Sequence, residues 1–166
     1  VIAIAGVSDD SNAVGIGGDQ ANDDLSNSGA VYIFEKNVGV WSQKSYVKAS
    51  NSMEDAVFGT SLDLSDDCAT LVVGAYGEKS ASTGVNGSQL DDGLNFAGSA
   101  YIFTRGSSDW EQQAYIKASN TAQADLFGSG VVLSGEGNLL AVSALQESSS
   151  ATGVNGDQTD NSKSKS

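Results

Sequence analysis

The side chains able to do chemistry in this 166-residue chain are mainly carboxylates and amides, gathered into three loops set at one spacing. The first loop holds Asp9, Asp10, Asp19, Asn22, Asp23 and Asp24. The second holds Glu78, Asn86, Asp91 and Asp92, and the third Glu147, Asn155, Asp157, Asp160 and Asn161. Hard cations such as calcium take roughly six to eight oxygen ligands from carboxylates, amide carbonyls and backbone. On that chemistry the candidate calcium ligands are Asp9, Asp19, Asp23, Asp91, Asp92, Asp157 and Asp160. Their spacing matches no fixed cation loop. A second reading accounts for the same residues: solvated turns in which Asp and Asn side chains fix their own backbone.

Other chemistry finds less to work with. There is no histidine, so Ser-His-Asp and Cys-His arrangements are absent, as are His-based zinc sites. No glycine-rich phosphate loop opens a helix. A glycosidase-like carboxylate pair has no residues that single it out, which leaves a carbohydrate-active enzyme as a distant alternative to a non-enzymatic chain. Asn86-Gly87-Ser88 is an N-glycosylation sequon. Gln20, Gln89 and Gln158 recur in a Gly-rich element, where they can bridge loop backbone or meet a sugar. Trp41, Trp110, Tyr46 and Tyr115 recur as well, as packing residues on outer strands or an aromatic platform for carbohydrate. Cys68 is the only cysteine and allows no intrachain disulfide.

The formal net charge of −13 repels nucleic-acid phosphate and anionic membrane surfaces. It suits cation binding or plain solubility. No apolar run reaches the roughly 18 residues that span a bilayer. Glycine is abundant at 20 residues and proline is absent, so Gly, Asn, Asp and Ser must make every turn.

The elements that position these loops repeat. A shift of 69 residues carries Tyr32-Ile33-Phe34 onto Tyr101-Ile102-Phe103 and Trp41 onto Trp110. It carries Lys48-Ala49-Ser50-Asn51 onto Lys117-Ala118-Ser119-Asn120, and Phe58-Gly59 onto Phe127-Gly128. Residues 1–69 align with 70–138 without a gap, and 21 of 69 positions are identical. Within one period four runs read as strands: 58–64, 70–75, 99–103 and 110–117. Their apolar positions are β-branched or aromatic, and 70–75 is apolar almost throughout, as in a strand buried on both faces. The fold class is therefore all-β, built of four-stranded antiparallel blades of a β-propeller, with about two and a quarter blades present. A β-sandwich or open β-solenoid is the alternative.

Phe58-Gly59 followed by Leu71-Val72-Val73-Gly74-Ala75-Tyr76 resembles the FG-GAP repeat. So does Phe127-Gly128 followed by Leu139-Leu140-Ala141-Val142-Ser143-Ala144, with Ser143 in place of glycine. The Gly29–Phe34 run and Trp41-Ser42-Gln43 are similar to a bacterial-type branch of that family. The resemblance implies an integrin-α-like propeller in a secreted or cell-surface setting. It departs from the integrin type at the first hairpin, where Ser65-Asp66-Asp67-Cys68 and Ser134-Gly135-Glu136-Gly137-Asn138 lack the alternating acidic calcium loop.

The expected organisation is a partial blade over 1–57, a complete blade over 58–126, a partial blade over 127–161 and a disordered or divergent tail over 162–166. About nine strands result. They are too few for the roughly 4–8 blades that close a propeller. Either the polypeptide continues, or several copies cover one another's open faces as a homo-oligomer. The expected role is an extracellular module for binding or adhesion, with a protein or glycan ligand. The alternative is a structural subunit of a filament or sheath, with copies of itself as partners. Neither nucleic acid nor membrane insertion is expected.

Overall fold

A computed structural model of the chain describes residues 1–163. The three C-terminal residues of the expected tail, 164–166, lie outside them. Of the other two, both exposed, the Ser162 amide donates to Asp160 and the Lys163 amide to the Ser148 carbonyl.

Nine strands and no helix occur among the described residues. β1 (Ile2–Gly6), β2 (Ala30–Asn37) and β3 (Val40–Val47) form one antiparallel sheet. β4 (Ser61–Leu64), β5 (Thr70–Ala75), β6 (Ser99–Arg105) and β7 (Trp110–Ile116) form the second, in chain order. β8 (Phe127–Leu133) pairs with β9 (Leu140–Ala144) in the third. These are β-propeller blades, stacked face to face, and no sheet closes into a barrel. β2 and β6 carry the same register shift, at Ile33/Phe34 and at Ile102/Phe103, so the repeat extends to a bulge.

The pleat explains why β5 is apolar throughout. Leu71, Val73 and Ala75 point at the first blade, where Val31, Ile33 and Val47 meet them together with Phe58, Tyr101 and Phe103. Val72 points the other way, into a cluster with Ala100, Val131 and Leu133. Each fully buried Val, Leu or Phe contributes about 1.5–3 kcal/mol, so the two clusters dominate stability. Aromatic edges reinforce the first: Phe58 lies edge-on to Tyr101 and to Phe103, with ring centroids 5.4 and 6.0 Å apart.

β4 differs from its expected extent. Phe58-Gly59 was expected to open the strand, but the strand begins at Ser61. Phe58-Gly59 instead lies in the junction between blades, whereas the equivalent Phe127-Gly128 opens β8 while making the same junction contact. The Phe58 amide donates to the Ser28 carbonyl, and the Phe127 amide does the same to Ala97. The preceding residues are held left-handed at equivalent places, Val57 at φ 55° and Leu126 at φ 58°. Gly98 shows how close the backbones come, because a Cβ there would lie 2.0 Å from the Phe127 carbonyl oxygen. Cys68 occupies the turn between β4 and β5 at φ 54°, where the next repeat has Gly137 at φ 72°.

The two ends of each blade are unlike. One end carries the short turns between β2 and β3, β4 and β5, and β6 and β7. The other carries the long connections 7–29 and 76–98 and the links from one blade to the next, 48–60 and 117–126. The long connections are tied down by extra pairings, Ile16 with Val47 and Val85 with Ile116, which lay them across the outermost strand.

Gly98→Ala is expected to destabilise the chain by at least about 2 kcal/mol, since it adds an overlap to a left-handed backbone at φ 83°. Gly93→Ala, where a Cβ meets nothing, is expected to cost little. Urea denaturation midpoints of the two variants check the difference.

Candidate functional site

One acid recurs at the loop end of every blade, fully buried in the middle repeat and half-buried in the other two. Asp9, Glu78 and Glu147 stand 69 residues apart, each just past the second strand of its blade. In the middle repeat the Glu78 carboxylate accepts from Lys117 Nζ at 2.7 Å, and both side chains are fully buried. It also accepts from the Ser80 amide and from Asn51 Nδ2, each at 3.1 Å. Asn51 belongs to the preceding blade. Its Oδ1 receives the Tyr101 hydroxyl at 2.6 Å, while Tyr115 and Ser80 share a hydrogen bond of 2.6 Å.

The same parts recur with adjustments. In the first repeat Lys48 Nζ donates to Asp9 at 3.2 Å. With no asparagine from another blade at this site, the Tyr32 and Tyr46 hydroxyls donate directly to Asp9, at 2.5 and 2.7 Å. In the third, Asn120 Nδ2 donates to Glu147 at 3.0 Å. The serine of the Lys-Ala-Ser-Asn run makes a second link across each junction. Ser50 donates to Gln89 and Ser119 to Gln158, so these glutamines act as receivers on the neighbouring blade. Gln20 accepts instead from Gln43 within its own blade.

Burial and hydrogen bonding pull the titrations in opposite directions. Burial raises the Asp9 carboxyl, but donation by Tyr32, Tyr46, the Ser11 amide and Lys48 outweighs it, leaving the group below the ordinary aspartate value. Tyr32 is pushed up to about 12 by burial and by its bond to Asp9. Burial lowers Lys48 and Lys117 despite the attraction of their carboxylates. Every group in the cluster already has a partner. The arrangement holds loops and blades together.

The expected calcium ligands do not converge. Among the described residues no group of three or more His, Cys, Asp or Glu is placed to hold a metal ion. Asp9 is taken up by the tyrosines and lysine. Asp19 accepts from the Ala21 amide at 2.9 Å, Asp91 from the Ala81 amide, and Asp157 from both the amide and the hydroxyl of Thr159. Asp160 accepts from Ser150 and the Ser162 amide. Asp23 and Asp92 are exposed. The bonds of Asp19, Asp157 and Asp160 to amides two residues on are the local Asx geometry of the second reading, while Asp91 reaches ten residues back.

Asn86 sits at φ 55°, its amide donating to the Tyr115 carbonyl at 2.7 Å and its Oδ1 accepting from the Tyr115 amide at 3.0 Å. Gly17 and Asn155 are left-handed at the equivalent positions, so the asparagine has a conformational job whether or not its Nδ2 carries a glycan. Trp110 is 4% exposed and Trp41 44%, which makes the packing role complete in the second blade only.

Lys117→Met leaves Glu78 buried without its cation and is expected to cost about 3–5 kcal/mol in denaturant unfolding. Asp9 has a folded value below its unfolded one, so its contribution is present above about pH 4 and lost as the pH falls through the lowered value. The melting temperature of Asp9→Asn is therefore expected to fall less than that of the parent between pH 5 and pH 3.

No curated protein matches the chain. Residues 41–103 match the family model described as FG-GAP repeat. The match runs from β3 through β6, so it takes in Asn51, Phe58-Gly59 and Glu78, while Lys117 lies beyond it. FG-GAP repeats typically occur in extracellular proteins. Over those residues, 63 of 166, the chain is similar to the FG-GAP repeat, in keeping with its propeller-type blades.

Proposed function

We propose that this chain is a non-enzymatic, extracellular β-propeller module that binds a protein or glycan partner through the loop end of its blades. The observation that carries this reading is the inequality of the two ends. One end is closed by tight turns. At the other, two long connections and the blade-to-blade links are fixed against each other by the buried acid cluster and the serine–glutamine bonds. Loops held on a rigid scaffold are where binding residues concentrate. Exposed apolar side chains also stand on these loops, among them Val14, Val85, Leu90 and Phe96. The absence of histidine agrees with a binding role.

A second reading, assembly through blade faces, is favoured by one specific observation. Ile2, Ile4 and Trp41 are exposed on the first blade, whereas their repeat counterparts Leu71, Val73 and Trp110 are buried under its neighbour. Another blade, from the same polypeptide or from a second copy, is the natural cover for that face.

The test is binding of the immobilised chain to arrayed glycans and extracellular-matrix proteins. Saturable binding is expected, and Leu90→Ser with Val85→Ser is expected to weaken it severalfold. Val38→Ser at the turn end is expected to leave it unchanged. Loss through the turn-end variant alone, or no binding at all, overturns the proposal. Growth into long fibres in light scattering moves the assembly reading ahead.

A further inference from the structure

Two junctions built on the same repeat allow a direct question: where do they differ without the fold requiring it? At the loop end of the first junction a pocket of about 460 Å³ lies between the first and second blades. It is lined by Val7, Asn27, Asp55 and Val57 from one side and by Tyr76 and Phe96 from the other. That volume falls within the roughly 300–1,000 Å³ of small-ligand sites. Tyr76 and Phe96 are stacked, with centroids 6.4 Å apart and planes 24° apart, and Phe96 is 41% exposed. Asn27 Nδ2 donates to Asp55 Oδ1 at 3.0 Å.

The second junction has the same backbone and different chemistry. Asn27 and Phe96 are equivalent positions, at φ 50° and 58°. Asp55 and Ala124 are equivalent at 59° and 63°. The fold thus accepts a phenylalanine in place of Asn27 and an alanine in place of Asp55. Neither polar residue is needed to make a junction. Only the first junction combines a stacked aromatic pair with a carboxylate–carboxamide pair.

We infer that the pocket between the first two blades, lined by Asn27, Asp55, Tyr76 and Phe96, binds a neutral pyranose unit of a glycan. The inference rests on the binding-module reading and assigns its ligand class and site. The bond between Asn27 and Asp55 leaves two neighbouring acceptor oxygens, Asn27 Oδ1 and Asp55 Oδ2. Two adjacent acceptors call for two adjacent donors, which a pair of vicinal hydroxyls supplies. The apolar C–H face of the same ring then lies on the Phe96–Tyr76 stack, and Val7 and Val57 close the sides. Acidic glycans meet a carboxylate in the pocket and a chain of net charge −13, so uronic or sulfated sugars are selected against.

The test is titration of the full chain with neutral methyl pyranosides of the gluco, galacto and manno series and their short oligomers. Saturation-transfer NMR and calorimetry provide the readouts, with sulfated and uronic oligomers as controls. Two variants borrow the residue that the other repeat holds at the equivalent position in the same backbone conformation, Asp55→Ala and Phe96→Asn. Both are expected to keep the parent melting temperature to within a few degrees and to weaken neutral-glycan binding at least tenfold. Binding that survives both variants overturns the site and leaves the module reading standing. Failure of every neutral glycan to bind, or tighter binding of the acidic controls, overturns the ligand class. If the chain also retains no extracellular protein from the array, the parent reading falls with it.

Discussion

A carboxylate taken out of water must be met by donors, and in this chain those donors come from two blades. Glu78 is fully buried and paired with Lys117 from the end of its own sheet, while Asn51 reaches it from the sheet before. Losing the lysine leaves an unpaired buried charge, and losing the asparagine strands the Tyr101 hydroxyl as well. The cluster therefore ties together three things that have no sequence proximity: the mouth of a long loop, the end of an outermost strand and the link to the next blade. The apolar clusters supply most of the stabilising energy. The buried acid supplies geometry, because only one placement of the neighbouring blade puts the amide within reach.

The surroundings of that cluster follow from the same requirement. Twenty-odd residues of loop, rich in Gly, Asn and Ser, would have little reason to adopt one shape. Here each loop is pinned near its start by the acid, in its middle by Asn86 or Gly17 pairing with the outermost strand, and beyond that by a glutamine. Asp19, Asp67, Asp157 and Asp160 then accept from amides two residues on, and Asp91 from the Ala81 amide ten residues back. The abundance of aspartates fits turn-making without proline.

Much of the architecture was legible because the repeat is regular. The 69-residue period, the apolar run at 70–75 and the β-branched and aromatic strands led directly to blades with the observed strand order. The acid at 9, 78 and 147 was visible in the same register, and so was the lysine at 48 and 117. Read as members of acidic loops, the acids hid their pairing, since Asp replaces Glu in the first copy and 39 residues separate each from its lysine. The role of Phe58-Gly59 was also missed as a local matter. Its aromatic ring suggested a strand, which holds for Phe127 at the start of β8, whereas Phe58 precedes β4 and packs its backbone on Gly29. The pocket at the first junction had no periodic signal at all. Asn27 and Asp55 stand out only where the repeat is broken, and their meeting with Tyr76 and Phe96 depends on how the blades stack.

Each repeat therefore owns half of two junctions: an acid and a glutamine that receive from the blade before it, and a serine and an asparagine that give to the blade after it. A gene segment of 69 codons, cut at any phase, carries one complete set of both halves. Duplicating or deleting such a segment regenerates every latch, wherever the break falls. The length of the array can then drift over evolutionary time with no compensating change elsewhere. Single substitutions in the latch have no such freedom, because the matching partner is encoded in a different copy.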